Sequence, residues 1–152
     1  MAVNLTLWVN CRYGNLPEVQ RALETDGADP NSVRSEGDNR TCLHAAAHRD
    51  REEVVALLLE QPTIDVNRRG GYKLYNGTAL HVACTFENTA SLRRMVAAHG
   101  VDYNSLDQRN WTPIMVAVHY GATGCVRVLS AVTEVDLDCK YPVPNGQSLE
   151  ER

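Results

Sequence analysis

The chain repeats itself. Slid along its own length, it aligns in four segments that share one order of residue types. Such self-similarity constrains the fold more than any other feature, because a unit this short cannot bury its apolar face alone. The first segment reads Leu5-Thr-Leu-Trp-Val-Asn-Cys11, then Glu18-Val-Gln-Arg-Ala-Leu23, then Asp29-Pro-Asn31. The second reads Thr41-Cys-Leu-His-Ala-Ala-Ala47, then Glu53-Val-Val-Ala-Leu-Leu-Leu59, then Asp65-Val-Asn67. The third reads Thr78-Ala-Leu-His-Val-Ala-Cys84, then Leu92-Arg-Arg-Met-Val96, then Asp102-Tyr-Asn104. The fourth reads Thr112-Pro-Ile-Met-Val-Ala-Val118, then Cys125-Val-Arg-Val-Leu129, then Asp136-Leu-Asp138. The closing positions Asn31, Asn67, Asn104 and Asp138 lie 36, 37 and 34 residues apart.

Each segment predicts two short helices and an extended turn. Thr41, Thr78 and Thr112 are residues whose hydroxyl caps the first free N–H groups of a helix. Pro113 follows at the first helical position, where its missing N–H costs nothing. The second helix carries apolar residues at i, i+3 and i+4, as in Val55, Leu58 and Leu59. Ala46, Ala83 and Ala117 place small side chains on one face of the first helix, so that neighbouring helices can approach. Stacked units then supply the core. The expected fold class is all-α: a solenoid of helix-turn-helix layers with extended finger loops, four layers being enough for stability.

The motif Thr-x-Leu-His at residues 41–44 and 78–81, with Thr112-Pro-Ile-Met115, resembles the ankyrin repeat. The resemblance covers roughly residues 3 to 149. Repeats are expected at about 3–34, 39–70, 76–107 and 110–140 of a single domain spanning 1–152. Two departures stand out. The Gly that the family places between its helices is Asp50 and Glu87 in the middle units, and Met115 replaces the motif His in the fourth. Thr6 and Asn10 stand where the second unit has Cys42 and Ala46, as a solvent-facing first layer requires. Asn145-Gly-Gln-Ser-Leu149 matches Asn76-Gly-Thr-Ala-Leu80, so residues 141–152 are expected to be a linker and the start of a fifth unit. A monomer is expected unless the last face pairs with another copy.

The resemblance implies a non-catalytic module that binds a partner protein through its concave inner-helix surface and finger loops. The last two residues of each first helix are Arg12-Tyr13, His48-Arg49, Thr85-Phe86 and His119-Tyr120, a column of aromatic and basic side chains. Tyr and Arg dominate binding hot spots. One turn earlier, Val9, Ala45, Val82 and Val116 are expected to form an apolar floor. The finger after the second unit reads Arg68-Arg-Gly-Gly-Tyr-Lys-Leu-Tyr75. It adds Arg68, Arg69, Tyr72 and Tyr75 as candidates, and the next finger adds Trp111 beside Arg109. The expectation is an adaptor or scaffold. The alternatives are a small ankyrin-type inhibitor of an enzyme such as a kinase, and an oligonucleotide-binding domain using Arg68, Arg69 and Lys73 with Tyr72 and Tyr75 as stacking rings.

His44 and His81 are expected to bond backbone, as the resemblance implies, and not to hold a metal, which needs three or four converging ligands. Leu59, followed by Asp65-Val66-Asn67, resembles the site modified by the hypoxia-pathway asparaginyl hydroxylase in ankyrin proteins, which marks Asn67 for possible hydroxylation. Otherwise Asn67 is expected to close its own turn through its side chain.

Composition narrows the function. Fifteen basic residues against nineteen acidic ones leave a net charge of −4, which argues against nucleic acid as the main partner. No apolar run is long enough to span a membrane. Five scattered cysteines without zinc spacing fit reduced thiols and a cytoplasmic or nuclear location. Cys11 and Cys84 lie two units apart, too far for a disulfide. No glycine-rich phosphate loop or nucleophile elbow is present, so neither a cofactor nor enzyme activity is expected.

Overall fold

The computed structural model describes residues 2–34, 38–71 and 74–140. They form eight helices: α1 (Ala2–Tyr13), α2 (Leu16–Glu24), α3 (Cys42–His48), α4 (Glu52–Leu59), α5 (Ala79–Thr85), α6 (Thr89–Val96), α7 (Pro113–His119) and α8 (Thr123–Ser130). The inner helices α1, α3, α5 and α7 pack in series, and the outer helices α2, α4, α6 and α8 form a second row behind them. This is the expected stacked solenoid. Its core runs continuously through all four layers, from Leu7 and Val19 through Leu43, Val55, Leu80 and Leu92 to Val116 and Leu129. Ala46, Ala83 and Ala117 are fully buried where the inner helices meet.

Local chemistry sets each layer. The Thr41 hydroxyl accepts from the His44 N–H, and the Thr112 hydroxyl accepts from the Met115 N–H. The first inner helix differs from expectation. It begins at Ala2 and runs for 12 residues, longer than its seven-residue counterparts. Leu5, Thr6 and Val9 on its outer side are exposed. The helix–helix turn demands a left-handed backbone in every unit: φ is 79° at Gly14, 51° at Asp50, 55° at Glu87 and 69° at Gly121. A side chain at such a position costs roughly 1–2 kcal/mol.

That cost has a return. The Asp50 carboxylate accepts from the Ser91 N–H in the first turn of α6 at 2.9 Å, and Glu87 accepts from the Gly124 N–H in the first turn of α8 at 3.4 Å. Both turns therefore cap the outer helix of the next layer, where a negative charge also meets the positive end of the helix dipole.

Two further side-chain ladders tie layer to layer. Backbone N–H groups of Thr41 and Thr78 donate to Nδ1 of His44 and His81. Nδ1 therefore carries no proton, and Nε2–H is the donor. It reaches the Gly77 carbonyl from His44 at 3.0 Å and the Trp111 carbonyl from His81 at 2.9 Å. Trp8 occupies the same position in the first layer, and its indole N–H donates to the Arg40 carbonyl at 2.9 Å. Each acceptor immediately precedes the capping Thr of the following unit.

The second ladder uses Asn. The Asn67 amide donates to the Gly100 carbonyl at 2.7 Å and accepts from the Asp102 N–H at 2.8 Å. Asn31 and Asn104 repeat both bonds with the layers ahead of them. The expectation that Asn67 closes its own turn is thus corrected. Asp65 does that by accepting from the Asn67 N–H, leaving the Asn side chain to cross between layers.

The five cysteines are free thiols. The Cys11 thiol lies beside that of Cys42 in the next layer, and the Cys84 thiol beside that of Cys125. That contact, and then burial, pushes the Cys11 and Cys84 thiols upward.

Candidate functional site

The fingers lie against one another along the edge of the stack. The Gly71 N–H donates to the Asp38 carbonyl of the preceding finger, and the Gln108 N–H donates to the Tyr75 carbonyl, both at 2.7 Å. Gly70 is required by this approach, since a Cβ there would sit 2.1 Å from the Asn39 oxygen. The fingers are thereby held as a row.

The predicted column resolves into two clusters. In the first, the His48 ring meets the Phe86 ring edge-on, with centroids 4.4 Å apart. Arg12 and His48 are half-buried, Arg49 is exposed, and Tyr13 and Phe86 remain 65% and 44% exposed. Burial and then the charges of Arg49, Arg12 and Arg40 hold the His48 imidazole below its ordinary pKa. It is therefore neutral at physiological pH.

The second cluster is built across the last two fingers. The Arg109 guanidinium lies 3.7 Å from the Tyr75 ring centroid and 4.0 Å from that of Trp111. Buried Asp107 holds it through bonds of 2.7 and 3.0 Å, while also accepting from the Trp111 N–H. His119 then packs edge-on against Trp111 at 4.7 Å and against Tyr120 at 4.9 Å. Stacking and cation–π attraction fix the order of these side chains, with Tyr75, His119 and Tyr120 presented to solvent.

Of the remaining candidates, Arg68 and Arg69 are exposed, and Arg69 donates to the Asn76 carbonyl at 3.1 Å. Tyr72 lies outside the described residues, as does the segment matched to a fifth unit. The apolar floor is corrected. Ala45, Val82 and Val116 are buried because the adjoining inner helices cover them, and only Val9 of the four is exposed. Sequence reasoning missed Asp107 as the organiser of the second cluster, although its spacing to Arg109 and Trp111 fits an Asx turn. It also missed Trp8, around which three guanidiniums gather: Arg12, Arg34 and Arg40 stand 5.9, 5.7 and 5.8 Å from the indole centroid. Among the described residues, no three His, Cys, Asp or Glu side chains cluster as metal ligands. No helix there is long and apolar enough to cross a membrane.

Layered helix pairs, a fingered edge and side-chain ladders between layers define a helical repeat protein. The ankyrin-repeat profile, in three copies, matches residues 7–105 and 71–141, and the chain belongs to the ankyrin repeat family. It is 31% identical over 113 residues to the target of rapamycin complex 2 subunit AVO2 of Saccharomyces cerevisiae, covering 74% of this chain and 25% of that one. It is 41% identical over 61 residues to the human SMC5-SMC6 complex localization factor protein 1, covering 40% of this chain and 6% of that one. An ankyrin repeat and KH domain-containing protein of Caenorhabditis briggsae is 28% identical over 126 residues, covering 82% of this chain and 5% of the relative. The chain thus spans a quarter or less of the length of the relatives it matches.

Proposed function

We propose that the chain is a non-catalytic adaptor module whose partner protein lies across the inner-helix surface and the finger row. The contact residues are Arg12, Tyr13, His48, Arg49, Phe86, His119 and Tyr120, joined by Arg68, Arg69, Tyr72, Tyr75 and Trp111 from the fingers. One observation carries this reading. Tyr13, Phe86 and Tyr120 are large rings left in solvent at the ends of the first, third and fourth inner helices, while Val82 and Val116 one turn earlier are buried. Exposed aromatic and Arg side chains on a rigid support are what binding hot spots use. The names of two relatives, a complex subunit and a complex localization factor, support an assembly role. The four units act as one domain, and the buried thiols suit a reducing cytoplasm or nucleus.

The test is the variant carrying Tyr13→Ala, Phe86→Ala and Tyr120→Ala together. Its melting curve and circular dichroism should stay close to those of the parent, because the rings are outside the core. Affinity for the partner recovered with the intact domain should fall by more than about ten-fold. Unchanged affinity would place the contact elsewhere.

A further inference from the structure

The outer helices mix their charges: Arg21 of α2 pairs with Glu18, and Arg94 of α6 pairs with Glu52. Glu18, Glu24, Glu52 and Glu53 belong to the outer helices α2 and α4. Arg12, Arg34, Arg40 and Arg49, by contrast, gather around Trp8 and His48 of the first two layers. Three of them surround the Trp8 indole at under 6 Å, and Arg12, Arg40 and Arg49 also bear on the His48 ring. The indole is 3% exposed, so its face is a fixed platform that draws cations into place.

Four like charges this close repel one another unless anions join them. Among the described residues only Asp38 does so, by pairing with Arg40. Arg12 Nε is buried with no hydrogen-bond partner. Arg49 is exposed and forms no ion pair with a described residue. The guanidinium fork fits a carboxylate in bidentate fashion, and charge-assisted bonds of this kind are about twice as strong as neutral ones. Directly beside the cluster stand the exposed Tyr13 ring and the His48–Phe86 pair.

We propose that this cluster receives an acidic segment of the partner protein, with Asp or Glu side chains on the arginines and an apolar or aromatic residue against Phe86 and Tyr13. The assignment rests on the protein-binding reading above and gives that partner its chemistry. A peptide fits better than a polynucleotide. The chain carries a net charge of −4, and four arginines release too few counterions to hold a long polyanion.

The probe is a short fluorescent peptide of glutamates around one central tyrosine, with its lysine counterpart and an oligothymidylate as comparisons. Binding is measured by anisotropy to the whole chain. The glutamate peptide should bind, weaken steeply between about 0.05 and 0.5 M salt, and lose at least about ten-fold in affinity with Arg12→Glu and Arg49→Glu. Arg49→Glu alone should show most of that loss, and it is a safe variant because the side chain is exposed and unpaired among the described residues. Tighter binding of the oligothymidylate than of the glutamate peptide would overturn the proposal in favour of nucleic acid. Equal binding of the lysine peptide, or no effect of Arg49→Glu, would also overturn it. If the glutamate peptide fails while the triple alanine variant still loses the natural partner, the acidic segment falls and the interaction surface stands.

Discussion

Protonation of the histidine ladder should destabilise this protein from within. His44 is buried, accepts at Nδ1 from Thr41 and donates from Nε2 to Gly77 across the layer boundary, so only the neutral imidazole fits. Burial, with smaller contributions from His81 and Arg40, depresses its pKa to about 4 from 6.5. His81 is shifted the same way, again chiefly by burial. The unfolded chain takes up these protons near pH 6.5, while the folded chain resists until far lower pH. Stability is therefore complete above pH 6.5 and drains away as pH falls towards 4. For His44 alone the loss is about 3 kcal/mol, against a typical total of about 5–15 kcal/mol. The chain supplies its own control residue, because Met115 fills the same position in the fourth layer and accepts from the Thr112 N–H through sulfur. The double variant His44→Met, His81→Met gives up two cross-layer bonds and should be less stable at pH 7. Its urea midpoint should then fall much less than that of the parent between pH 6.5 and 4. Carboxylates titrate in both proteins, so the difference between the two curves isolates the imidazoles. Parallel curves would refute the argument.

Asp50→Ala keeps the left-handed backbone and removes the cap on α6, so it should cost about 1–2 kcal/mol in urea melts. Asp50→Gly, which relieves the backbone as it loses the cap, should fall within about 1 kcal/mol of the parent; an Asp50→Ala variant as stable as the parent would deny the cross-layer cap, and equal losses in the two would deny the backbone strain. With a disulfide-exchange reagent, half-buried Cys139 should react first, and Cys11, Cys42, Cys84 and Cys125 only as the chain unfolds; rapid reaction of all five in native buffer would contradict the packing. We also propose Asn67 as a hydroxylation site. Peptides from native cells should carry one added oxygen there, and an unmodified Asn67 throughout would remove the proposal.

The repeat was legible because apolar periodicity and a capping Thr are local signals, and the fold follows once four such units lie in register. The backbone role of His44 and His81 was legible from their place in the motif. What crosses between layers was not. Asp50 could be recognised as a residue standing where Gly is usual, yet its purpose depends on Ser91, 41 positions away. Trp8 does the work of the ladder histidines; the repeat register sets it opposite His44, but an indole and an imidazole share only a ring N–H, so the residue type gives no sign of the shared role. The misplaced floor has a similar cause. Whether Val82 faces a partner or the core depends on which neighbouring helix covers it, and helical spacing gives only the face.

The fourth layer differs from the others in a way that bears on every contact beyond it. The three devices by which earlier layers grip the next are altered together. The Met115 side chain has no N–H to donate in place of the His44 and His81 rings, Gly121 has no carboxylate in place of Asp50 and Glu87, and the Asp138 side chain can accept but cannot donate as those of Asn31, Asn67 and Asn104 do. The apolar half of the interface remains. Val118 is 55% exposed where Cys11, Ala47 and Cys84 are fully buried, and Leu137 is 58% exposed where Pro30 is buried and Val66 and Tyr103 are partly so. Apolar burial gives affinity without direction, whereas the ladders fix register. Anything seated on this face, another ankyrin unit included, is held by shape and burial more than by side-chain hydrogen bonds. It would therefore detach more readily than the first four layers detach from one another.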